Sequence, residues 1–68
     1  MPLSARNHLK GEITEVVLGT VTALVTVKVG NNLLESVITR RGAEELKLKV
    51  GDTVSAVIKA TEVMIQKD

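Results

Sequence analysis

Three short stretches of this chain gather hydrogen-bond donors. The first is Ser4-Ala5-Arg6-Asn7, followed by Leu9-Lys10-Gly11. A hydroxyl, a guanidinium and an amide sit there within four residues. In an extended segment alternate residues share a face, so Ser4 and Arg6 point the same way and Ala5 and Asn7 the other. A Ser–Arg pair offers an oxyanion a hydroxyl donor and a planar charged fork. The plain alternative is an ordinary polar start to a strand. The second stretch is Lys59-Ala60-Thr61-Glu62-Val63-Met64. Here Lys59 stands on the non-core face of its strand, beside the backbone N–H of Ala60 and the hydroxyl of Thr61; the alternative is a solvated charge at a strand end. The third is Thr39-Arg40-Arg41-Gly42, at the start of a short helical segment. A helix N-terminus presents unpaired N–H groups and a partial positive charge, which suits an anion. Its alternative is simple capping by Thr39 with loose surface arginines.

Groups for catalysis are missing. The chain has no Cys and one His, His8, which cannot build a zinc site alone. No nucleophile elbow, zinc-protease helix, P-loop or dinucleotide fingerprint occurs. Glu12, Glu15, Glu44, Glu45, Asp52 and Glu62 fall in strand ends, a helix and turns, where solvated faces explain them. The expectation is a binder and not an enzyme.

The elements that must position these donors are mostly strands. Val21, Ala23, Val25, Val27 and Val29 alternate with Thr20, Thr22, Leu24, Thr26 and Lys28, a half-buried strand of β-branched residues. Gly30-Asn31-Asn32 reads as a turn, and Leu33 to Thr39 returns as the hairpin partner. The segment Arg41-Gly42-Ala43-Glu44-Glu45-Leu46 changes character: Ala, Glu and Leu are good helix formers, with room for one or two turns. Val50-Gly51-Asp52 is another turn. Thr53 to Ala60 alternates again, and Glu62 to Gln66 reads as a last short strand. Upstream, Asn7 to Leu18 reads as a long first strand in which Gly11 marks a bulge or bend. Five strands with one short helix between the third and fourth is the order of an OB-type Greek-key barrel. The fold expected is therefore all-β, in one domain spanning 1–68.

Size limits this barrel. A chain of 68 residues buries only about 60% of the surface its unfolded form exposes. Such cores are reinforced by disulfides, a metal or oligomerisation, and without Cys the last remains. Apolar residues are 44% of the chain, with no Phe, Tyr or Trp. Leu24 and Val57 stand on the nominally polar faces of their strands, either as scattered surface residues or as part of a subunit interface. The net charge of +1 and the absence of stacking aromatics disfavour a nucleic-acid-binding OB domain. No signal peptide or membrane span is evident, so a cytoplasmic location is expected.

The three donor stretches together resemble the molbindins, the small Mop proteins, and are similar to the paired Mop domains of the molybdate-responsive transcription regulator. The likeness runs from Ser4-Ala5-Arg6-Asn7-His8-Leu9-Lys10-Gly11, through Gly19-Thr20-Val21-Thr22-Ala23 and Glu44-Glu45-Leu46, to Val57-Ile58-Lys59-Ala60-Thr61-Glu62-Val63-Met64. It implies an OB-like barrel, assembly as a hexamer built as a trimer of dimers, and molybdate or tungstate held at subunit interfaces for storage and homeostasis. By match to the family motifs, Ser4 and Arg6 contact the anion from one subunit, and Thr39, Lys59 and the Ala60 N–H from a neighbour. Family members often carry Ser where this chain has Gly42 and Ala60, which leaves only main-chain donors at those positions. An alternative role is a regulatory anion-sensing module that docks on a transporter or regulator.

The donor set agrees with that implication. Molybdate at neutral pH is a fully ionised tetraoxo dianion that only accepts hydrogen bonds. Ser, Thr, Arg, Lys and backbone N–H groups supply donors and positive charge without an acceptor. Buried charge is costly unless paired and hydrogen-bonded, and an interface can pool donors from several chains while excluding water.

Overall fold

The alternation of β-branched residues produces strands in register with the expected ones. The structure, a computed structural model, describes residues 6–68. In chain order it holds β1 (Asn7–Leu18), β2 (Thr22–Val29), β3 (Asn32–Thr39), α1 (Arg40–Glu45), β4 (Thr53–Ile58) and a 3-10 turn at Ala60–Glu62. The strands form one antiparallel sheet in the order β3-β2-β1-β4.

β1 serves two neighbours. Its first half, Asn7 to Glu12, pairs with β4, and its second half, Glu12 to Leu18, pairs with β2. A bulge between Ile13 and Glu15 falls near the handover, and a bulge strengthens local twist and bends the strand. Gly11, read as the place of that irregularity, does something else. A Cβ there would collide with the Lys28 carbonyl oxygen and lie 2.8 and 2.9 Å from Val27 Cγ1 and Val29 Cγ2. Gly11 is a point of close approach between β1 and β2, and only a residue without a side chain permits it.

The connections follow local chemistry. Val29 pairs with Asn32, leaving Gly30 and Asn31 as the loop. Gly30 has φ 60 and Asn31 has no positive φ, the pattern of a II′ hairpin turn. Helix α1 ends in a Schellman motif. Lys47 N–H donates to Glu44 C=O and Leu48 N–H to Ala43 C=O, with Lys47 at φ 53. That bend returns Leu48 to the core, where it packs beside Val54 against Ile13, Val25 and Val27. The turn at Gly51, φ 97, is tied to β1 by Gly51 N–H to Ile13 C=O and Ile13 N–H to Asp52 C=O, both 2.9 Å.

The core is small. Ile13 is the one large side chain that is fully buried among the described residues, with Ala23, Val25, Val27 and Ala43 around it. One expected strand is absent. Residues 62–66 do not join the sheet; after the 3-10 turn the chain runs on through Val63, whose backbone is extended. A strand exists only where an edge accepts its hydrogen bonds, and this tail pairs with no edge of its own chain. The barrel therefore has four strands from its own chain, with an apolar groove of about 310 Å³ open between β3 and β4, lined by Leu34, Ile38, Val54, Ala56 and Ile58 among others. Among the described residues no helix is long and apolar enough to cross a membrane.

Candidate anion-binding site

Ser4, one of the expected contacts, lies outside the described residues; the other five can be located. Arg6 directly precedes β1 and is exposed. Asn7 pairs with Ile58 across the β1–β4 ladder. Arg6 and Lys59 are the residues next beyond that last pair, and Lys59 is also exposed and extended at φ -66, ψ 134. The pairing is braced by Asn7, whose Nδ2 donates to the Ile58 carbonyl at 3.2 Å. Asn7 is thus a brace for the two strand ends. Neither Arg6 nor Lys59 takes part in an ion pair among the described residues. Like charges facing each other across a sheet destabilise it; an anion between them reverses the sign.

Ala60 opens the 3-10 turn next to Lys59. The first hydrogen bond of that turn is Glu62 N–H to Lys59 C=O, 2.9 Å, so the Ala60 N–H precedes the turn's internal bonding. A strand-end cation and a main-chain donor therefore stand in sequence, as the resemblance implied.

At the other end of the molecule Thr39 caps α1. Its Oγ1 accepts the Gly42 N–H at 3.0 Å. The Gly42 N–H, one of the expected contacts, therefore has a partner in the single chain. With the Thr39 oxygen accepting from Gly42, its own O–H hydrogen remains available to donate. The neighbouring arginines are engaged as well. Arg40 Nη1 donates to the Gly19 carbonyl at 3.1 Å and its Nε lies 3.7 Å from Glu44 Oε2. Arg41 Nε lies 3.4 Å from Glu45 Oε1. Arg40 fastens the β1–β2 turn to the helix, and each charge has a carboxylate one helical turn away. Sequence reasoning had no signal for that fastening, since Gly19 and Arg40 meet only through the β2–β3 hairpin.

The sheet register separates the two donor groups. Thr39 pairs with Thr22, and Thr22 C=O accepts from Gly19 N–H, so Thr39 is level with the far end of β1. Arg6 precedes β1 and Gly19 follows it, so the whole of Asn7–Leu18 lies between the two. Lys59 belongs with Arg6 in the same chain, whereas Thr39 stands apart from both. Among the described residues no group of three or more His, Cys, Asp or Glu side chains could hold a metal ion.

This OB-type sheet with donor-bearing strand ends defines a small binding domain, and residues 3–65 match the TOBE domain family, to which the chain belongs. Its relatives are more particular. The chain is 42% identical over 66 residues, 96% of each sequence, to a probable molybdenum-pterin-binding protein of Haemophilus influenzae. The solved structure of a molybdate-binding protein from Sporomusa ovata superposes with a TM-score of 0.95 at 37% identity, covering 98% of this chain and 100% of that one. The cytoplasmic molybdate-binding protein ModG, solved with molybdate bound, is 43% identical with a TM-score of 0.84, covering 88% of this chain and 43% of ModG.

Proposed function

We propose that this chain binds molybdate or tungstate reversibly, as the intact oxyanion, between subunits of a homo-oligomer, and that it catalyses no reaction. The carrying observation is that Arg6 and Lys59 both stand just beyond the last β1–β4 pair, Asn7 and Ile58, two exposed cations with no carboxylate partner among the described residues. Ser4, Arg6, Lys59 and the Ala60 N–H make one half of the site. Thr39, positioned by Gly42, is contributed by another copy, because the sheet register sets it level with Gly19, beyond the opposite end of β1 from Arg6. All of these groups donate and none requires a proton from the ligand, which favours a fully ionised tetraoxo dianion over a protonated phosphate. The relatives' names support the ligand. The chain has no Phe, Tyr or Trp, the large side chains on which a pterin would stack, so the oxyanion is the ligand proposed.

The proposed assembly is a hexamer, a trimer of dimers. It is supported by what a lone chain leaves wet. Met64 and Ile65 are 92% and 89% exposed on a tail unpaired with its own sheet, while the groove between β3 and β4 lacks a strand. A second copy's tail is a segment of the right character to fill that groove. The proposed role is cytoplasmic storage and homeostasis of molybdenum, supported by the likeness to cytoplasmic ModG.

Element analysis of the purified protein with native mass spectrometry tests the whole reading. It should give molybdenum or tungsten bound to a multimer. A stable monomer that takes up neither oxyanion at millimolar concentration would falsify it.

A further inference from the structure

Arg40 is fastened at both its root and its tip. Its backbone N–H donates to the Val21 carbonyl at 2.8 Å, and its Nη1 donates to the Gly19 carbonyl at 3.1 Å. Both acceptors lie in the short connection between β1 and β2, so one loop holds the whole side chain. Most of its donors stay unused. A guanidinium carries five N–H donors in a rigid plane. One goes to Gly19, and Nε lies 3.7 Å from Glu44 Oε2, too far for a hydrogen bond. The remaining donors meet no acceptor among the described residues. They are open to solvent: the side chain is 42% exposed. It lines a cleft with Thr20, Val21, Thr39, Arg41 and Glu44.

We propose that Arg40 is a further contact for the oxyanion, held beside Thr39 by its grip on the β1–β2 connection, and that Glu44 restrains it. This rests on the interfacial site proposed above, in which Thr39 meets an anion also held by Arg6 and Lys59 of another copy. Three observations carry it. First, place: Arg40 follows Thr39 in the chain and lines the same cleft, so an anion at the Thr39 hydroxyl stands on the guanidinium's side of the molecule. Second, charge: the Thr39 half of the site otherwise offers a hydroxyl and no charge, and a buried dianion needs compensating charge and hydrogen bonds around it. Third, order: the side chain is already anchored to the Gly19 carbonyl, and an anchored side chain has less rotamer freedom left to lose on binding. Glu44 acts against this. It draws on the same guanidinium from one helical turn away, with the two side chains 42% and 58% exposed, where such pairs are weak. An anion with two charges outcompetes a contact of that strength.

Calorimetry with molybdate on the full chain tests it, with circular dichroism and native mass spectrometry to check fold and assembly. Arg40→Leu should weaken binding about tenfold or more, the range of a charge-assisted hydrogen bond. Glu44→Gln should tighten binding about twofold to threefold by releasing the guanidinium. That gain should vanish in the Arg40→Leu/Glu44→Gln double variant, because it acts through Arg40. Lys49→Gln removes the same charge from the turn before β4 and should stay within about twofold of wild type. A purely structural clamp would give the Arg40→Leu loss but no Glu44→Gln gain. Wild-type affinity in Arg40→Leu overturns the contact, and so does an equal loss in Lys49→Gln or a Glu44→Gln gain that survives without Arg40. Where Arg40→Leu fails to fold or assemble, Glu44→Gln decides by itself, and unchanged or weaker binding in it overturns the proposal. A wild-type protein that takes up no oxyanion sinks the functional reading, a failure that no Arg40 variant can produce.

Discussion

Thr39 Oγ1 lies 3.0 Å from the Gly42 nitrogen and accepts its N–H. One oxygen thereby closes the N-terminus of α1 while its own hydrogen stays available to donate. Thr39→Val keeps the shape and removes both functions. Loss of such a cap costs about 1 kcal/mol, readable by urea denaturation of the ligand-free protein, and molybdate affinity should fall as well. Thr39→Ser should retain both. If Thr39→Val binds molybdate as tightly as wild type, the hydroxyl has no part in the site.

Arg6 and Lys59 stand just beyond the last β1–β4 pair without carboxylate partners among the described residues, so their contribution is to the ligand and not to the fold. Arg6→Ala and Lys59→Ala should each weaken molybdate binding by roughly 1.5–3 kcal/mol, as charge-assisted hydrogen bonds do. Ligand-free stability should stay level or rise slightly as repulsion is relieved. Thermal melts with and without molybdate read both effects, because a ligand that binds only the folded form raises the melting temperature. A variant that melts early without ligand would mark these residues as structural.

Gly11 is where β1 passes closest to β2. Gly11→Ala places a methyl group against the Lys28 carbonyl. Overpacking typically costs 1–3 kcal/mol, and backbone yields less readily than a side chain, so the expected loss is about 3 kcal/mol in denaturant titrations. A loss below about 0.5 kcal/mol would show that β1 and β2 can separate locally at no great cost.

Lys47 holds φ 53 to complete the Schellman motif. A left-handed conformation costs a side-chain-bearing residue about 1–2 kcal/mol, and glycine avoids that cost at this position. Lys47→Gly should raise stability by roughly 1 kcal/mol with no change in molybdate affinity, as Lys47 is remote from the proposed contacts. An unchanged or lower melting temperature would refute the strain.

Much of this architecture was legible because alternation is a local property. The bounds of β1 agree with the reading of Asn7 to Leu18, and β2, β3 and β4 fall within two residues of theirs. Gly30 and Gly51 marked real turns for the reason that makes glycine informative, a positive φ. Gly11 was seen as special but for the wrong cause. The bulge lies at Ile13/Glu15, and nothing in the letters around Gly11 tells a bulge from a close approach. The candidate contacts came from motif likeness, and their grouping did not. Lys59 was expected to act from a neighbour of the Arg6 chain; the β1–β4 register, whose last pair is Asn7 and Ile58, brings both to one end of the same two strands, which is why they are proposed as one half of the site.

The sequence by itself determined which residues alternate, where turns must fall, and that the candidate contacts are donors and cations without a carboxylate among them. These follow from side-chain chemistry and a repeat of two, and need no knowledge of what lies across the sheet. Tertiary structure decided the rest. It brought Arg6 and Lys59 to one end of the same two strands, took the Gly42 N–H for Thr39, and left residues 62–66 outside the sheet, because pairing partners are chosen by strand register and barrel closure between segments far apart in the chain.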